Sequence, residues 1–214
     1  MKRLRFTLIT DGSSDKALIP IIHWLLSQHY PNLPLDGEWA DLARLPTPPQ
    51  NLAQKIVIGS YLYPCDLLFI HRDAERKQHD VRVAEIRQAV DGAQEILDEK
   101  QLSLPRHVCV IPVHMLEAWL LFDINGIRQA VANPNGKIPI QLPPLNRLES
   151  LPDPKSTLYE LLRTASELHG RKLKKFRPQT SVHRLAECID DFSPLRKLPA
   201  FQSLEKEIHG IDYL

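Results

Sequence analysis

The feature that most constrains the fold of this chain is the segment Cys65-Asp-Leu-Leu-Phe-Ile-His-Arg-Asp-Ala-Glu-Arg76. Residues 67–70 are apolar at every position, so both faces of the segment require burial, as in a parallel strand that helices cover on both sides. The apolar run ends in a charged stretch that contains Asp73 and Glu75. Open α/β folds bind ligands beyond the carboxyl ends of their strands. The segment therefore predicts a buried parallel strand that leads directly into a candidate active site.

Two further segments have the composition of buried strands, and helical sequence follows each of them. Residues 4–10 are apolar and β-branched, and they lead through a polar turn into residues 17–26, where apolar side chains recur at helical spacing. Residues 108–113 form the other apolar run, and residues 38–42 have the pattern of a short additional strand. Strands that alternate with helices indicate an α/β fold. We predict a mainly parallel, Rossmann-like sheet flanked by helices.

The second half of the chain is helical in pattern and interrupted by prolines. Residues 125–154 have a loop-like composition, and a helix is predicted from Asp153-Pro-Lys155 to Gly170, with a proline near its start and a glycine at its end. Later helices are predicted from residue 180 or 181 to 189 and from residue 193 or 199 to 208. We therefore expect an α/β core at residues 1–124 and a helical C-terminal extension at residues 125–214 that packs on it.

Bulk composition narrows the class of protein without selecting a function. The net charge of +1 neither requires nor excludes a nucleic-acid partner, and the three cysteines contain no CxxC pair that would indicate a zinc or disulfide framework. The chain lacks the glycine motifs of phosphate-binding and dinucleotide-binding loops. It contains no apolar run of about 20 residues and no signal-peptide pattern at its start, which predicts a cytoplasmic protein without a membrane segment.

Acidic residues follow each of the three predicted strands. They are Asp11, the pair Asp73 and Glu75, and Glu117, which follows His114. Because the carboxyl ends of parallel strands meet at one edge, we expect these side chains to lie close together. Residues two apart on an extended segment are about 6.6 Å apart along the chain and point the same way, so Asp73 and Glu75 are predicted to converge on a metal ion. Carboxylate oxygens are preferred ligands of Mg²⁺, which favours a magnesium site. The alternative interpretation is that these acids only cap helices and form surface ion pairs.

Four segments together resemble the Toprim superfamily. Leu8-Ile-Thr-Asp-Gly-Ser-Ser-Asp-Lys16 is similar to its first motif, and Phe69-Ile-His-Arg-Asp-Ala-Glu75 is similar to its second, an Asp-x-Asp at the end of a strand. With Pro112-Val-His-Met-Leu-Glu-Ala-Trp-Leu-Leu121 and Asp153-Pro-Lys155, the pattern resembles an uncharacterised Toprim-like family of the DUF4276 type. That family is related to the nuclease domains of OLD and anti-phage defence proteins.

This resemblance implies a Toprim-like α/β core that binds Mg²⁺ or Mn²⁺ for phosphodiester chemistry. It implies that Asp73 and Glu75 bind the metal, that Asp11 binds metal or acts as a base, and that Glu117 completes or orients the site. The chain departs from the family pattern in two places: the first-motif acid is Asp11 instead of the usual Glu, and the second motif ends in Glu75 instead of Asp. Both departures retain a carboxylate but change its reach, which puts the reaction geometry in question.

Basic residues suggest where a nucleic acid would bind. Arg72, Arg76 and Lys77 lie beside the second motif, where they would hold a phosphate near the metal. Residues 171–177 form a basic run with one aromatic residue, within which the predicted backbone contacts are Lys174, Lys175 and Arg177. The alternative reading of this run is a solvated connector between helices.

The leading functional hypothesis is a metal-dependent nuclease, in line with defence against phage or other foreign DNA. One rival is a non-catalytic Toprim-like binding or accessory module of a larger complex, for which a partner protein such as an ATPase, or a homodimer, would be expected. A second rival is a phosphohydrolase that acts on a small molecule, because the same acids suit it.

Overall fold

The computed structural model of the chain describes residues 3–75 and 77–211. In this part of the chain a single four-stranded sheet has the order β2-β1-β3-β4, and each neighbouring pair is parallel. The strands are β1 (Leu4–Ile9), β2 (Leu35–Trp39), β3 (Leu67–His71) and β4 (Arg106–Val110). The predicted α/β fold with a parallel, Rossmann-like sheet is confirmed.

Helices connect the strands and make up the C-terminal part of the fold. The α-helices are α1 (Leu18–His29), α2 (Leu52–Leu62), α3 (His79–Asp98), α4 (Ile124–Ala130), α5 (Pro154–Ser166), α6 (Gly170–Lys175), α7 (Val182–Cys188) and α8 (Pro199–His209). Short 3-10 helices cover Ser13–Ala17, Leu42–Arg44, Leu116–Leu120, Leu145–Ser150, Pro178–Ser181 and Ser193–Lys197. None of the helices among the described residues is long and apolar enough to cross a membrane.

The sheet is covered on both faces, which explains why β3 is apolar throughout. Alternate side chains of a strand point to opposite faces. On one face, Leu68 and Ile70 pack in a cluster with residues of α2 and α3. On the other face, Phe6 and Phe69 pack edge to face, with ring centroids 5.6 Å apart, in a cluster that includes α1.

The helices beyond residue 124 share the second of these clusters with the sheet. Leu158 of α5, Leu185 of α7 and Phe201 of α8 are fully buried in it together with strand residues. Trp119 packs edge to face against Phe201, with ring centroids 5.3 Å apart. The C-terminal helices therefore form one wall of the core that also contains β1, β3 and β4.

The order of the strands sets the position of the site. From β1 the chain passes through α1 to the outer strand β2, and it then returns through α2 to β3 on the other side of β1. The connections from β1 and β3 thus lead away in opposite directions, which makes the carboxyl end of this strand pair the topological switch point. Open α/β sheets bind ligands in the crevice at such a point.

The structure differs from the sequence-based expectation in four local places. Residues 125–154, whose composition predicted a loop, contain most of α4 (Ile124–Ala130) and the 3-10 helix Leu145–Ser150. The short strand expected at residues 38–42 is Leu35–Trp39, and the region after β4 is the 3-10 helix Leu116–Leu120 instead of a helix starting at His114. His114 adopts a left-handed conformation with φ of 60°, which a continuing helix could not contain. Helix α5 ends at Ser166 because Glu167 is left-handed with φ of 51°, and Gly170 begins α6 instead of ending α5.

Candidate functional site

Main-chain hydrogen bonds extend the pairing of β3 and β4 past the ends of both strands. The amides of Arg72, Ala74 and Glu75 donate in turn to carbonyl oxygens of Val110, Pro112 and His114, at 3.2, 3.0 and 3.1 Å. The loop after β3 is therefore fixed to the loop after β4. This pairing places the side chains of both loops at the switch point.

Asp73 lies at the centre of the site. Its Oδ1 accepts a hydrogen bond from the amide of Leu116 at 2.9 Å and lies 3.5 Å from Nε2 of His71. Burial raises the pKa of Asp73 to about 6, although His71 lowers it, and the carboxylates of Asp15 and Glu117 raise it further. Asp73 is therefore a carboxyl group that a proton or a cation stabilises at neutral pH.

His71 is buried and lies between two carboxylates. Its Nδ1 is 2.9 Å from the carbonyl oxygen of Val110, which only accepts hydrogen bonds, so Nδ1 carries a hydrogen. Its Nε2 lies 3.5 Å from Asp73 and 3.9 Å from Oδ2 of Asp15. When the ring is neutral, the lone pair of Nε2 faces both carboxylates. A proton or a metal ion between these atoms would remove that repulsion.

Glu117 belongs to the same group of carboxylates, although it lies in the apolar segment after β4. Its side chain is 5% exposed, and Oε1 lies 3.5 Å from Nζ of Lys155 at the start of α5. Burial opposes the charge on Lys155, yet Glu117, with a smaller contribution from Asp15, raises the pKa of this lysine above its ordinary value. We call Asp15, Asp73 and Glu117 the acid cluster.

Asp11 lies at the same edge but is held by cations. Its Oδ1 accepts from Nζ of Lys55 at 2.8 Å, and its Oδ2 accepts from Nε of Arg72 at 3.1 Å. Burial opposes ionisation of Asp11, but these two partners lower its pKa below the ordinary value. Asp11 is thus an ionised carboxylate with two ion-pair partners.

Glu75 does not converge with Asp73 as an extended segment would require. Its backbone is left-handed, with φ of 53°, and its Oε2 accepts from Nη2 of Arg82 at 2.8 Å. Arg82 also donates to Glu85 at 2.7 Å. The segment is therefore not extended at Glu75, and the carboxylate of Glu75 contacts Arg82 on α3.

One cleft of about 340 Å³ is nevertheless lined by Asp11, Asp15, His71, Asp73 and Glu75. The cations Arg72, Lys77 and Arg82 line the same cleft. Glu85 pairs with all three of these cations, and hydrogen bonds from Lys77 and Arg82 are the largest causes of a pKa lowered to about 2. The cleft therefore combines carboxylates with positive charges that lie within reach of a bound phosphate.

The other predicted phosphate contacts lie elsewhere or outside the described residues. Lys174 and Lys175 are exposed on α6, and Nη1 of Arg177 donates to the carbonyl oxygen of Lys174 at 3.2 Å. Arg76 lies outside the described residues. The nucleic-acid contacts predicted for these residues stay predictions.

The donor set was tested against the Mg²⁺ or Mn²⁺ that the Toprim resemblance implies. Within residues 3–75 and 77–211, no group of three or more His, Cys, Asp or Glu side chains is placed to hold a metal ion. Asp11 and Glu75 are each ion-paired, so their predicted roles as ligands would require these pairs to open. Asp73 and Asp15 fit the chemistry better, because Mg²⁺ takes one or two protein carboxylates and completes its shell with water.

Sequence reasoning located Asp73 and Glu117 but missed Asp15, His71 and Lys155. Asp15 follows the predicted polar turn, and its Oδ2 accepts a hydrogen bond from the amide of Gly12 at 2.9 Å. The signal for Asp15 was its place in the 3-10 helix Ser13–Ala17, which begins at the switch point. His71 is the last residue of β3, where alternation directs its side chain to one face of the sheet.

Comparison of the chain with models of protein families, with curated proteins and with solved structures finds no match.

Proposed function

We propose that this chain is a metal-dependent phosphodiesterase that hydrolyses nucleic acid and uses the acid cluster as its centre. The observation that carries the proposal is Asp73, whose pKa is raised to about 6 by burial and by its carboxylate neighbours at a topological switch point. Clustered carboxylates of this kind are costly without a compensating cation. Two unit charges about 4 Å apart repel by roughly 4 kcal/mol at an effective dielectric constant near 20.

In this proposal Asp73 and Asp15 hold Mg²⁺ or Mn²⁺. A bound metal of this type supplies activation of water and stabilisation of the leaving oxygen in phosphodiester hydrolysis. His71 presents the lone pair of Nε2 toward the metal beside the two carboxylates, while its Nδ1 hydrogen bond to Val110 fixes the ring. Glu117 adds a third carboxylate to the cluster, and Lys155 balances part of its charge.

The Toprim resemblance supports the same function, but the residues have partly different roles in this proposal. The second-motif residue Asp73 keeps its central place, whereas Asp11 and Glu75 hold the cations around it: Asp11 positions Arg72, and Glu75 positions Arg82. Arg72 exchanges a carboxylate partner for a substrate phosphate in this proposal. Guanidinium groups suit both partners because their planar fork donates two hydrogen bonds.

A non-catalytic binding module is the second candidate, and one observation favours it. The ammonium of Lys155 lies 3.5 Å from Glu117, so a built-in cation already supplies part of the charge that a metal would supply. A small-molecule phosphohydrolase is the third candidate, since a cleft of about 340 Å³ suits a small ligand.

The test is cleavage of plasmid DNA, single-stranded DNA, RNA and bis(p-nitrophenyl) phosphate with Mg²⁺ or Mn²⁺. We expect Asp73→Asn to reduce the rate roughly 10²-fold or more, and Asp15→Asn and Glu117→Gln to reduce it as well. Glu75→Gln should lose less activity than Asp73→Asn, because the carboxylate of Glu75 contacts Arg82 and not the acid cluster. Glu99→Gln, at an exposed position that does not line the cleft, is the matched control. A loss in Glu75→Gln equal to that in Asp73→Asn would contradict this arrangement.

A second readout does not depend on turnover. Mg²⁺ or Mn²⁺ should raise the midpoint of thermal unfolding of the wild-type protein, because a ligand of the folded state stabilises it, and should raise that of Asp73→Asn much less. Absence of both cleavage and a thermal shift would favour the binding module. Cleavage of the small phosphodiester alone would favour the small-molecule enzyme.

A further inference from the structure

Two further cavities lie beside the cleft at the carboxyl ends of β1 and β2, and each shares lining residues with the next. A middle cavity of about 250 Å³ shares Asp11 with the cleft and is also lined by Trp39 and Lys55. An outer cavity of about 670 Å³ shares Ser13, Trp39 and Ala43 with the middle one. We call the middle and outer cavities together the basic groove.

The outer part of the basic groove carries excess positive charge. Lys16, Arg44 and Arg184 line it, whereas Asp41 is the one carboxylate among the described residues that line it, and Asp41 pairs with Arg44 at 2.7 Å. Within residues 3–75 and 77–211, Lys16 and Arg184 form no ion pair with a carboxylate. Cations without a carboxylate partner are available to neutralise phosphates, which is the main source of affinity for nucleic acid.

Trp39 provides an aromatic surface where the two cavities meet. It is the last residue of β2 and half-buried, and its Nε1 donates to Oγ1 of Thr10 at 3.0 Å. Thr10 in turn donates to the carbonyl oxygen of Gly12 at 2.8 Å, so the loop after β1 fixes the indole ring. A fixed aromatic side chain in a basic groove is the arrangement that stacks an unpaired base.

We propose that the basic groove binds single-stranded nucleic acid and directs it to the acid cluster. This inference rests on the proposed function, because the groove ends at the proposed centre of hydrolysis. Arg184 and Lys16 contact the phosphates of the strand, and Arg44 does so by exchanging Asp41 for a phosphate. Trp39 stacks on one of the bases. A duplex would hide its bases from the indole, so the groove selects single strands.

The experiment measures fluorescence anisotropy of labelled oligonucleotides of about 12 nucleotides, a length within the range that single-strand-binding folds cover. Single-stranded DNA, RNA of the same sequence and the corresponding DNA duplex are titrated with the full-length protein in EDTA at several salt concentrations. We expect both single strands to bind more tightly than the duplex. The DNA and RNA arms decide which of the two is preferred.

Charge reversal tests the path of the phosphates. Arg44→Glu/Arg184→Glu should weaken binding of the single strand roughly tenfold or more and reduce the slope of log affinity against log salt by about 1.4. Lys100→Glu/Lys206→Glu is the control with the same charge change at exposed positions outside the groove, and it should bind like the wild-type protein. Equal binding by the two double variants would contradict binding of the strand in the basic groove.

Substitution of Trp39 tests stacking. Trp39→Leu should weaken binding about fivefold or more, whereas Trp39→Phe retains a ring and should lose much less. Circular dichroism confirms that both variants are folded. Equal losses in Trp39→Leu and Trp39→Phe would overturn the stacking role, and tighter binding of the duplex would overturn the preference for single strands.

Failure of this inference is distinguishable from failure of the proposed function. Oligonucleotide binding with these charge and ring dependences, but without cleavage under any metal, would retain the groove and reject hydrolysis. Metal-dependent cleavage of DNA or RNA that Arg44→Glu/Arg184→Glu and Trp39→Leu leave unchanged would reject binding in the basic groove and retain the proposed function.

Discussion

Asp73 is a residue whose chemistry can be tested through stability alone. Its pKa is about 6 in the folded protein against 3.8 ordinarily, so between these values the folded state binds the proton more tightly. Stability therefore falls as the pH rises from about 4 to about 6, and the loss persists at higher pH. Asp73→Asn keeps an acceptor for the amide of Leu116 but carries no charge. We expect this variant to exceed the wild-type protein in stability at pH 8 by as much as about 3 kcal/mol.

Urea denaturation at pH 4 and pH 8 measures this difference. The gain from Asp73→Asn should be large at pH 8 and small at pH 4, whereas Asp190→Asn, at an exposed position, should change stability little at either pH. A variant less stable than the wild-type protein at pH 8 would show that the carboxylate is already neutralised by His71 or another cation.

Lys155 and Glu117 form the other residue pair that predicts a pH effect. The pKa of Lys155 is raised, so its stabilising contribution is complete at pH 8 and is lost only as the pH rises through that raised value. Lys155→Met leaves Glu117, which is almost fully buried, without its cation. We expect a loss of about 1–3 kcal/mol at pH 8.

The double variant Lys155→Met/Glu117→Gln is the control for that pair, because it removes both charges. Its stability should recover most of the loss. Thermal unfolding at pH 8 measures both variants. Equal destabilisation by the single and the double variant would show that the lysine acts through packing of its aliphatic stem.

At the scale of elements, Arg82 joins α3 to the loop after β3. Its side chain is 5% exposed and donates to Glu75 and Glu85. Arg82→Leu leaves both carboxylates without this partner and should reduce the free energy of unfolding by about 2–4 kcal/mol. Arg87→Leu, at an exposed position of the same helix, should change it by less than about 0.5 kcal/mol. Urea denaturation of both variants decides, and equal effects would contradict a role for the ion pairs.

The elements themselves were largely readable from the sequence, because their signals are local. Apolar runs predicted β1, β3 and β4, and helical spacing predicted α1. The last helix, predicted to end at residue 208, corresponds to α8. Predictions failed for short elements whose conformation depends on contacts with residues far away in the sequence. The amide of Leu116 is taken by Asp73, and His114 is left-handed, so the segment after β4 forms a short 3-10 helix that no periodicity signals.

The difference between local signals and long-range contacts also explains which predictions about the site agree with the structure. That acids would gather at one sheet edge follows from parallel topology, and the structure places Asp11, Asp73 and Glu75 around one cleft. Which carboxylates face one another depends on side-chain partners from distant elements. Lys55 on α2 and Arg82 on α3 hold Asp11 and Glu75, and neither pairing has a signature in the sequence around the motifs.

The C-terminal helices and the sheet share one apolar core, so both parts of the chain support the site. The α/β core expected at residues 1–124 and the extension expected at residues 125–214 contribute to the same apolar cluster, in which Phe6 of β1 and Phe201 of α8 are both buried. Lys155, which pairs with Glu117, is also supplied by the extension. The two parts should therefore unfold together.

Two large-to-small substitutions test this cooperativity. Phe6→Ala in the sheet and Phe201→Ala in the extension should each lower stability by about 3–5 kcal/mol, since each leaves a cavity in the core. Tryptophan fluorescence reports partly on Trp119, which contacts Phe201, and far-ultraviolet circular dichroism reports on the whole fold. In both variants the two signals should change in one coincident transition, as in a two-state protein. A Phe201→Ala protein in which fluorescence changes before circular dichroism would show that the extension unfolds separately from the sheet, and Lys155 would then be a detachable part of the acid cluster's wall.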